Sequence, residues 1–159
     1  MTAAPAHHLA QLNIAAPRFR IEDPRMEGFV SRLDAINALA EAAPGFVWRL
    51  VGDGTNDATG LRDPRLGNQI VNLSVWESHE ALRAYVYGSG HLEVLRRRAE
   101  WFELPTRAHL VLWWVPAGHI PSLSEAVDRL ELLREHGPTA QAFTLRHAFP
   151  ADHSSQPVR

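Results

Sequence analysis

The 159-residue sequence contains no cysteine, which excludes disulfide bonds, thiolate metal sites and a cysteine nucleophile. It also lacks a long hydrophobic run, because no apolar segment approaches the ~20 residues that cross a bilayer. The start of the chain, Met1 to His8, has neither the basic nor the apolar part of an export signal. We therefore expect a cytoplasmic protein that has no membrane-embedded segment.

A large excess of charge is missing as well. The formal net charge is −2 and the sequence pI is near 6.5, so the chain offers no basic surface for a phosphate backbone. Motifs of nucleotide-binding proteins, zinc proteases and serine hydrolases are also absent. The polar stretch Gly52 to Gly67 lacks the spacing of a calcium loop. We expect neither a nucleic-acid partner nor a metal.

The overall composition is that of an ordinary globular protein, with 45% hydrophobic and 21% charged residues. A chain of this length suits one domain with one core. We expect a single domain over residues 7–149 and a flexible polar tail over residues 150–159.

Hydrophobic periodicity predicts strands and helices in the order β-α-β-β-α-β. The predicted strands are His8 to Ile14, Phe46 to Val51, Gln69 to Trp76 and His109 to Val115. The predicted helices are Pro24 to Ala43, a segment from Ser78 to Phe102 with a break at residues 88–90, and a last helix from Ser122 to Gly137. Gln141 to Phe149 is either a fifth strand or an extended edge segment. This order predicts an α+β, ferredoxin-like fold with an extra C-terminal helix and strand.

In such a fold the helices cover one face of an antiparallel sheet, and the other face needs a cover of its own. Strand alternation predicts that this second face mixes polar and aromatic groups. Its members are Gln11, Asn13, Arg49, Asn72, Ser74, Trp76 and Trp113. Such a face suits a partner subunit or a lined cavity, and a homodimer through the sheet face is the commonest cover.

Three strings carry a resemblance to a known family: VNLSVWESHEAL, YVYGSGHLEVLRRRAEWFE and LWWVPAGHIPSLSEA. They resemble an uncharacterised-domain family related to the antibiotic-biosynthesis monooxygenases, and the likeness runs from about His8 to Phe149. The resemblance implies a dimeric α/β barrel that binds a small apolar or aromatic molecule. Cofactor-independent monooxygenase chemistry is the candidate activity that it implies. A haem-binding protein and a non-catalytic carrier are the alternatives, so whether the protein is an enzyme stays open.

Asn72 and Trp76 are the first candidates for catalysis. Related quinone-forming enzymes use an asparagine and a tryptophan without metal or flavin, and these two residues are similar in type and spacing. Residues four apart on a strand share a face, so an amide and an indole N–H can converge on one ligand oxygen and stabilise a phenolate. Alternatively, Trp76 only seals the strand against the next helix.

His91 is the third catalytic candidate, because it follows a glycine break near a helix N-terminus. The positive end of the helix dipole lowers an imidazole pKa there and favours a neutral base or ligand. In the haem alternative, His91 is the axial ligand. A structural, hydrogen-bonded histidine is the remaining interpretation.

Arg98 lies seven residues after His91 and returns to nearly the same helical face, where it can close one end of a pocket with Trp101. The residues expected to bind the ligand are Asn13, Arg49, Ser74, Tyr87, Arg98, Trp101 and Trp113.

Overall fold

The protein is described from a computed structural model that covers residues 6–52 and 55–151, without the side chains of Ser89 and His91. The predicted tail lies outside the described residues from residue 152 onwards.

Four antiparallel strands form one sheet. They are β1 (His7–Ala15), β2 (Phe46–Arg49), β3 (Ile70–Trp76) and β4 (Leu110–Pro116), and their spatial order is β2-β3-β1-β4. Every neighbouring pair is antiparallel. This order is that of the split β-α-β arrangement, so the predicted α+β, ferredoxin-like fold is confirmed.

In the described part of the chain, five α-helices accompany the sheet: α1 (Glu27–Val30), α2 (Leu33–Ala42), α3 (His79–Val86), α4 (Ser89–Arg97) and α5 (Leu123–His136). The break predicted beside residue 88 is confirmed, because Gly88 has extended backbone angles and α4 begins after it. Within residues 6–52 and 55–151, no helix is long and apolar enough to cross a membrane.

The predicted first helix is divided into α1 and α2, which corrects the expectation of one helix from Pro24 to Ala43. In an unbroken helix the Gly28 carbonyl would accept from the Arg32 backbone N–H. Here it accepts instead from the Arg32 side chain, over 2.6 Å. The Arg32 backbone N–H donates to the carbonyl of Phe29, the residue after Gly28, and the chain turns before α2.

Helices cover both faces of the sheet, which corrects the prediction that they cover one face only, while the homodimer through the sheet face stays a prediction. The buried residues Ala126, Val127, Leu130 and Leu133 of α5 pack on the face that bears Leu12 and Val75. The opposite face carries the polar strand residues and lies under α2, α3 and α4. Leu12 and Val75 are 0% exposed, so α5 of the same chain covers the face opposite the polar strand residues.

Trp113 belongs to the face under α5, contrary to the prediction that placed it among the polar residues. It pairs with Ala10 across β1 and β4, and Ala10 is part of the core against α5. Its indole Nε1 donates to Glu125 Oε2 over 3.0 Å. Trp114, the next residue, lies on the polar face, as strand alternation requires.

The segment from Gln141 to Phe149 forms no strand, so the alternative of an extended edge segment is the correct one. Phe143 makes one bridge to Leu112 at the edge of β4, with reciprocal backbone hydrogen bonds of 2.9 and 2.8 Å. The chain turns on both sides of this bridge. Thr139 and Ala142 bond each other before it, and the Thr144 hydroxyl accepts from the His147 N–H after it.

The loop between β2 and β3 is tied to α5 by Arg65. Its guanidinium lies 3.1 Å from Asp63, 2.6 Å from Asp128 and 3.7 Å from Glu131. Asp63 also begins the short 3-10 turn Pro64–Leu66, where its side chain accepts from the Arg65 N–H. The hydrogen bond from the Arg65 side chain holds the pKa of Asp63 below its usual value.

A carboxyl whose pKa is lowered by folding contributes stability above its unfolded-state pKa, which is about 3.9. That contribution is lost as the pH falls through the lower folded-state pKa. We therefore expect the free energy of unfolding to decrease as the pH falls below about 4, and to decrease less steeply in Asp63→Asn. Urea unfolding followed by circular dichroism between about pH 2 and pH 7 measures both slopes. The exposed carboxylate variant Glu80→Gln is the control. An unchanged acid slope in Asp63→Asn would contradict the prediction.

Candidate ligand-binding cavity

A cavity of about 430 Å³ lies between the polar face of the sheet and helices α1, α2 and α4. It is located at the end of the sheet where β1 ends and β3 and β4 begin, and much of its wall is apolar. The apolar residues include Phe29, Leu33, Ile36, Leu50, Ile70 and Phe102. This volume is within the range of roughly 300 to 1,000 Å³ that is usual for small-molecule sites.

A strip of polar side chains crosses this face in the middle of the sheet. We call Gln11, Asn13, Asn72 and Ser74 the polar strip. The register of β1 and β3 pairs Gln11 with Ser74 and Asn13 with Asn72, so the four side chains are close neighbours on one face. Asn13 and Asn72 line the cavity, whereas Gln11 and Ser74 are buried beside it.

Gln11 organises the polar strip through its amide nitrogen. Gln11 Nε2 lies 2.7 Å from Asn72 Oδ1, 2.7 Å from Ser74 Oγ and 3.3 Å from the Asn72 backbone carbonyl. A backbone carbonyl only accepts hydrogen bonds, so the Gln11 atom beside it is the nitrogen. The Asn72 side-chain oxygen therefore receives a hydrogen bond from Gln11.

This contact orients the Asn72 amide. Because its oxygen faces Gln11, its amino group is the end that remains for another partner. Asn72 is exposed within the cavity wall, and its amino group donates to no other side chain or backbone among the described residues. The cavity thus has a prearranged hydrogen-bond donor on the polar strip, in a wall that is in large part apolar.

Trp76 does not line the cavity, although it was predicted to share a ligand with Asn72. Its side chain is 1% exposed, and its indole Nε1 donates to Ser74 Oγ over 2.9 Å. The ring stacks on Tyr85 at 5.1 Å and meets the edge of Phe46 at 5.5 Å. The two predicted donors are therefore not directed at one ligand atom, because Trp76 packs between β3 and α3.

Arg49 lines the cavity at the β2 side, as expected, and is well buried. Its side chain is 11% exposed. One terminal nitrogen, Nη2, donates to Asn56 Oδ1 over 2.8 Å and lies 3.3 Å from Glu41 Oε1. Its buried Nε has no partner among the described residues.

The charge of Arg49 also acts on Tyr85. Burial raises the pKa of the Tyr85 hydroxyl to about 12, and the positive charge of Arg49 opposes that increase.

The other predicted binding residues fall into two groups. Arg98 lines the cavity. Tyr87 and Trp101 do not: Tyr87 is 56% exposed on the surface, and Trp101 is 2% exposed and packs against Phe29 at 5.8 Å.

The His91 side chain lies outside the described residues, so its role stays a prediction. Its position in α4 is one helical turn before Val94 and Leu95, both of which line the cavity. Among the described residues, no cluster of three or more His, Asp or Glu side chains has the arrangement of a metal site.

Polar cavity residues that were not singled out from the sequence include Asn37, Arg107, His109 and Arg134. Asn37 had a usable signal, because it occupies an inward position in the apolar stripe of α2 and is 8% exposed. His109 and Arg134 had none. They lie just before β4 and in the last turn of α5, which only the tertiary structure brings to the same cavity.

The strand order, the two covered faces and the cavity define a ferredoxin-like α+β protein with a ligand-sized site between sheet and helices. The chain belongs to the family described as Domain of unknown function (DUF3291), whose model matches residues 8–158. The resemblance to an uncharacterised-domain family is therefore confirmed. A comparison with curated proteins found no match.

Solved structures with a similar fold include Rv0793 from Mycobacterium tuberculosis, which is 15% identical, with a TM-score of 0.48 over 72% of this chain and 99% of that chain. SnoaB, a cofactor-independent oxygenase from Streptomyces nogalater, is 20% identical, with a TM-score of 0.46 over 72% of this chain and 97% of that chain. PA3566 from Pseudomonas aeruginosa is 11% identical, with a TM-score of 0.48 over 74% of this chain and 100% of that chain. The strand order of this chain, rather than these likenesses, establishes its fold.

Proposed function

We propose that this protein binds a small, largely aromatic molecule in the cavity between the sheet and α1, α2 and α4. The observation that carries the proposal is the oriented amino group of Asn72 in a partly apolar cavity of about 430 Å³. Apolar walls with a few placed polar groups are typical of sites that bind a small organic ligand. A ligand hydroxyl or carbonyl oxygen would accept from Asn72, and its ring would contact residues such as Ile36 and Ile70.

The Asn72 amino group also supports a more specific candidate function, in which the protein catalyses a reaction of the bound molecule. If the bound oxygen is a phenolate, hydrogen bonds from Asn72 stabilise its negative charge in a region with little water. In a cofactor-independent oxygenation, the phenol supplies four electrons to O₂. One oxygen atom enters the ring as a carbonyl, and the other leaves as water with the two displaced hydrogens. The alternative is a carrier that uses the same contacts without the reaction.

Filling the cavity tests the binding proposal. Leu33 lines the cavity from α2, so in Leu33→Trp the larger ring would occupy part of the space for a ligand. We expect the affinity for the neutral fluorescent probe N-phenyl-naphthylamine to fall severalfold in a fluorescence titration.

The matched control is Leu39→Trp. Leu39 is in the same helix, is 49% exposed and does not line the cavity, so its replacement should leave probe affinity unchanged. Circular dichroism of both variants checks that the fold is retained. Equal affinity in the wild type and the folded Leu33→Trp variant would show that the probe binds elsewhere and would contradict the proposal.

A further inference from the structure

One mouth of the cavity carries a group of positive charges from three separate segments. Arg98 follows the last residue of α4, Arg107 lies in the loop before β4, and Arg134 lies in the last turn of α5. All three line the cavity, together with His109. We call these four residues the cationic mouth.

The three guanidinium groups lie beyond ion-pairing distance of the carboxylates among the described residues. In the described part of the chain, none forms an ion pair within 4 Å, whereas Arg25, Arg65 and Arg97 each pair with a carboxylate. The Arg134 Nε donates to the Ala108 carbonyl over 2.9 Å, which holds its side chain against the mouth without neutralising it.

The charges are near enough to influence one another. Burial lowers the pKa of His109, and the positive charges of Arg98 and Arg134 lower it further. Burial also lowers the pKa of Arg134, and the charge of Arg107 acts in the same direction. Of the nearby carboxylates, Glu103 lines the cavity, and Glu131 opposes the decrease in the pKa of Arg134.

Like charges that face one another destabilise a folded protein unless an opposite charge offsets them. A solvated surface arginine needs no such partner, but these three converge from different parts of the chain on the opening of a partly apolar cavity. Planar guanidinium groups bind carboxylates with good geometry, often through two hydrogen bonds. An anion at this opening would therefore reduce the repulsion and bind beside Arg134, whose side chain is already held in place.

We propose that the natural ligand carries one anionic group, such as a carboxylate, which binds at the cationic mouth while its aromatic body occupies the cavity. This inference rests on the proposed function and adds the chemical class of its ligand: an aromatic acid rather than a neutral ring. The anionic group and the oxygen atom held by Asn72 are then two separate anchors on one molecule.

Two related fluorescent probes test this inference with the full chain. Anilinonaphthalene sulfonate and N-phenyl-naphthylamine share the same ring system, but only the first carries a negative charge. We expect the wild type to bind the anionic probe more tightly, with an advantage that decreases as salt is added. In Arg98→Gln/Arg107→Gln, affinity for the anionic probe should fall about three- to tenfold, since both arginines are exposed. Affinity for the neutral probe should change much less.

Arg96→Gln is the matched control, because Arg96 is also exposed in α4 but does not line the cavity. It should leave both affinities unchanged. If the wild type binds both probes equally, or if the double variant weakens both to the same degree, the inference about the anionic group is wrong while binding in the cavity stands. If neither probe binds, or if Leu33→Trp has no effect on either, the proposed function itself fails.

Discussion

Replacing Trp76 by alanine is expected to lower the free energy of unfolding by about 3–5 kcal/mol, which is typical of removing a buried tryptophan. The side chain is 1% exposed and is packed between Phe46 and Tyr85. Its removal would leave a large cavity at the junction of β3 and α3. It would also take away the indole N–H that Ser74 accepts, although Ser74 keeps its contact with Gln11.

Urea unfolding followed by circular dichroism measures this effect in the free protein. Tyr87→Ala is the control, because Tyr87 is an aromatic residue of the same region that is 56% exposed. Its variant should differ from the wild type by less than about 0.5 kcal/mol, as surface substitutions usually do. A loss of less than about 1 kcal/mol in Trp76→Ala would show that Trp76 is not the packing residue described above.

The second large effect is expected at Asn72. In Asn72→Leu the cavity keeps a side chain of similar size but loses its oriented donor. A hydrogen bond to a charged oxygen contributes about 1.5–3 kcal/mol, so binding of naphthol as its phenolate should weaken by about ten- to hundredfold. Binding of naphthalene, which has no oxygen, should change little. Fluorescence titration of the two compounds measures both affinities.

The variant Gln11→Met tests whether naphthol affinity depends on the orientation of the Asn72 amide as well as on its presence. Gln11 is buried and does not line the cavity, but its Nε2 holds the Asn72 oxygen at 2.7 Å. Without this contact the Asn72 amide can rotate, so naphthol should bind more weakly even though Asn72 is intact. Naphthalene binding should again be unchanged. If Gln11→Met binds naphthol as the wild type does, Gln11 has only a structural role.

Oxygen uptake distinguishes the oxygenase from the carrier. Wild-type protein mixed with 1-naphthol under air should consume oxygen faster than the buffer does, as one oxygen atom enters the ring and the other leaves as water, and Asn72→Leu should lose most of that increase. If the protein binds the compound but oxygen uptake does not increase, the carrier hypothesis is favoured and the oxygenase hypothesis is wrong.

The local elements were readable from the sequence because each has a short-range physical cause. β1 and β3 follow from apolar residues at every second position, as in Val71, Leu73 and Val75. α5 follows from its Ser122 cap and its apolar stripe, and the predicted start is correct. The split between α1 and α2 was not predicted, because the apolar spacing continues across it and does not show that the Gly28 carbonyl accepts from the Arg32 side chain.

By itself, the sequence determined the order of strands and helices, the ferredoxin-like fold and a polar strip on β1 and β3, because residue periodicity and strand pairing encode these features. Only the tertiary structure decided that α2, α3 and α4 cover that strip while α5 covers the opposite face. It also directed the indole N–H of Trp76 to Ser74 and brought Arg98, Arg107 and Arg134 to one mouth. Those outcomes depend on contacts between segments far apart in the chain, and no local pattern specifies such contacts.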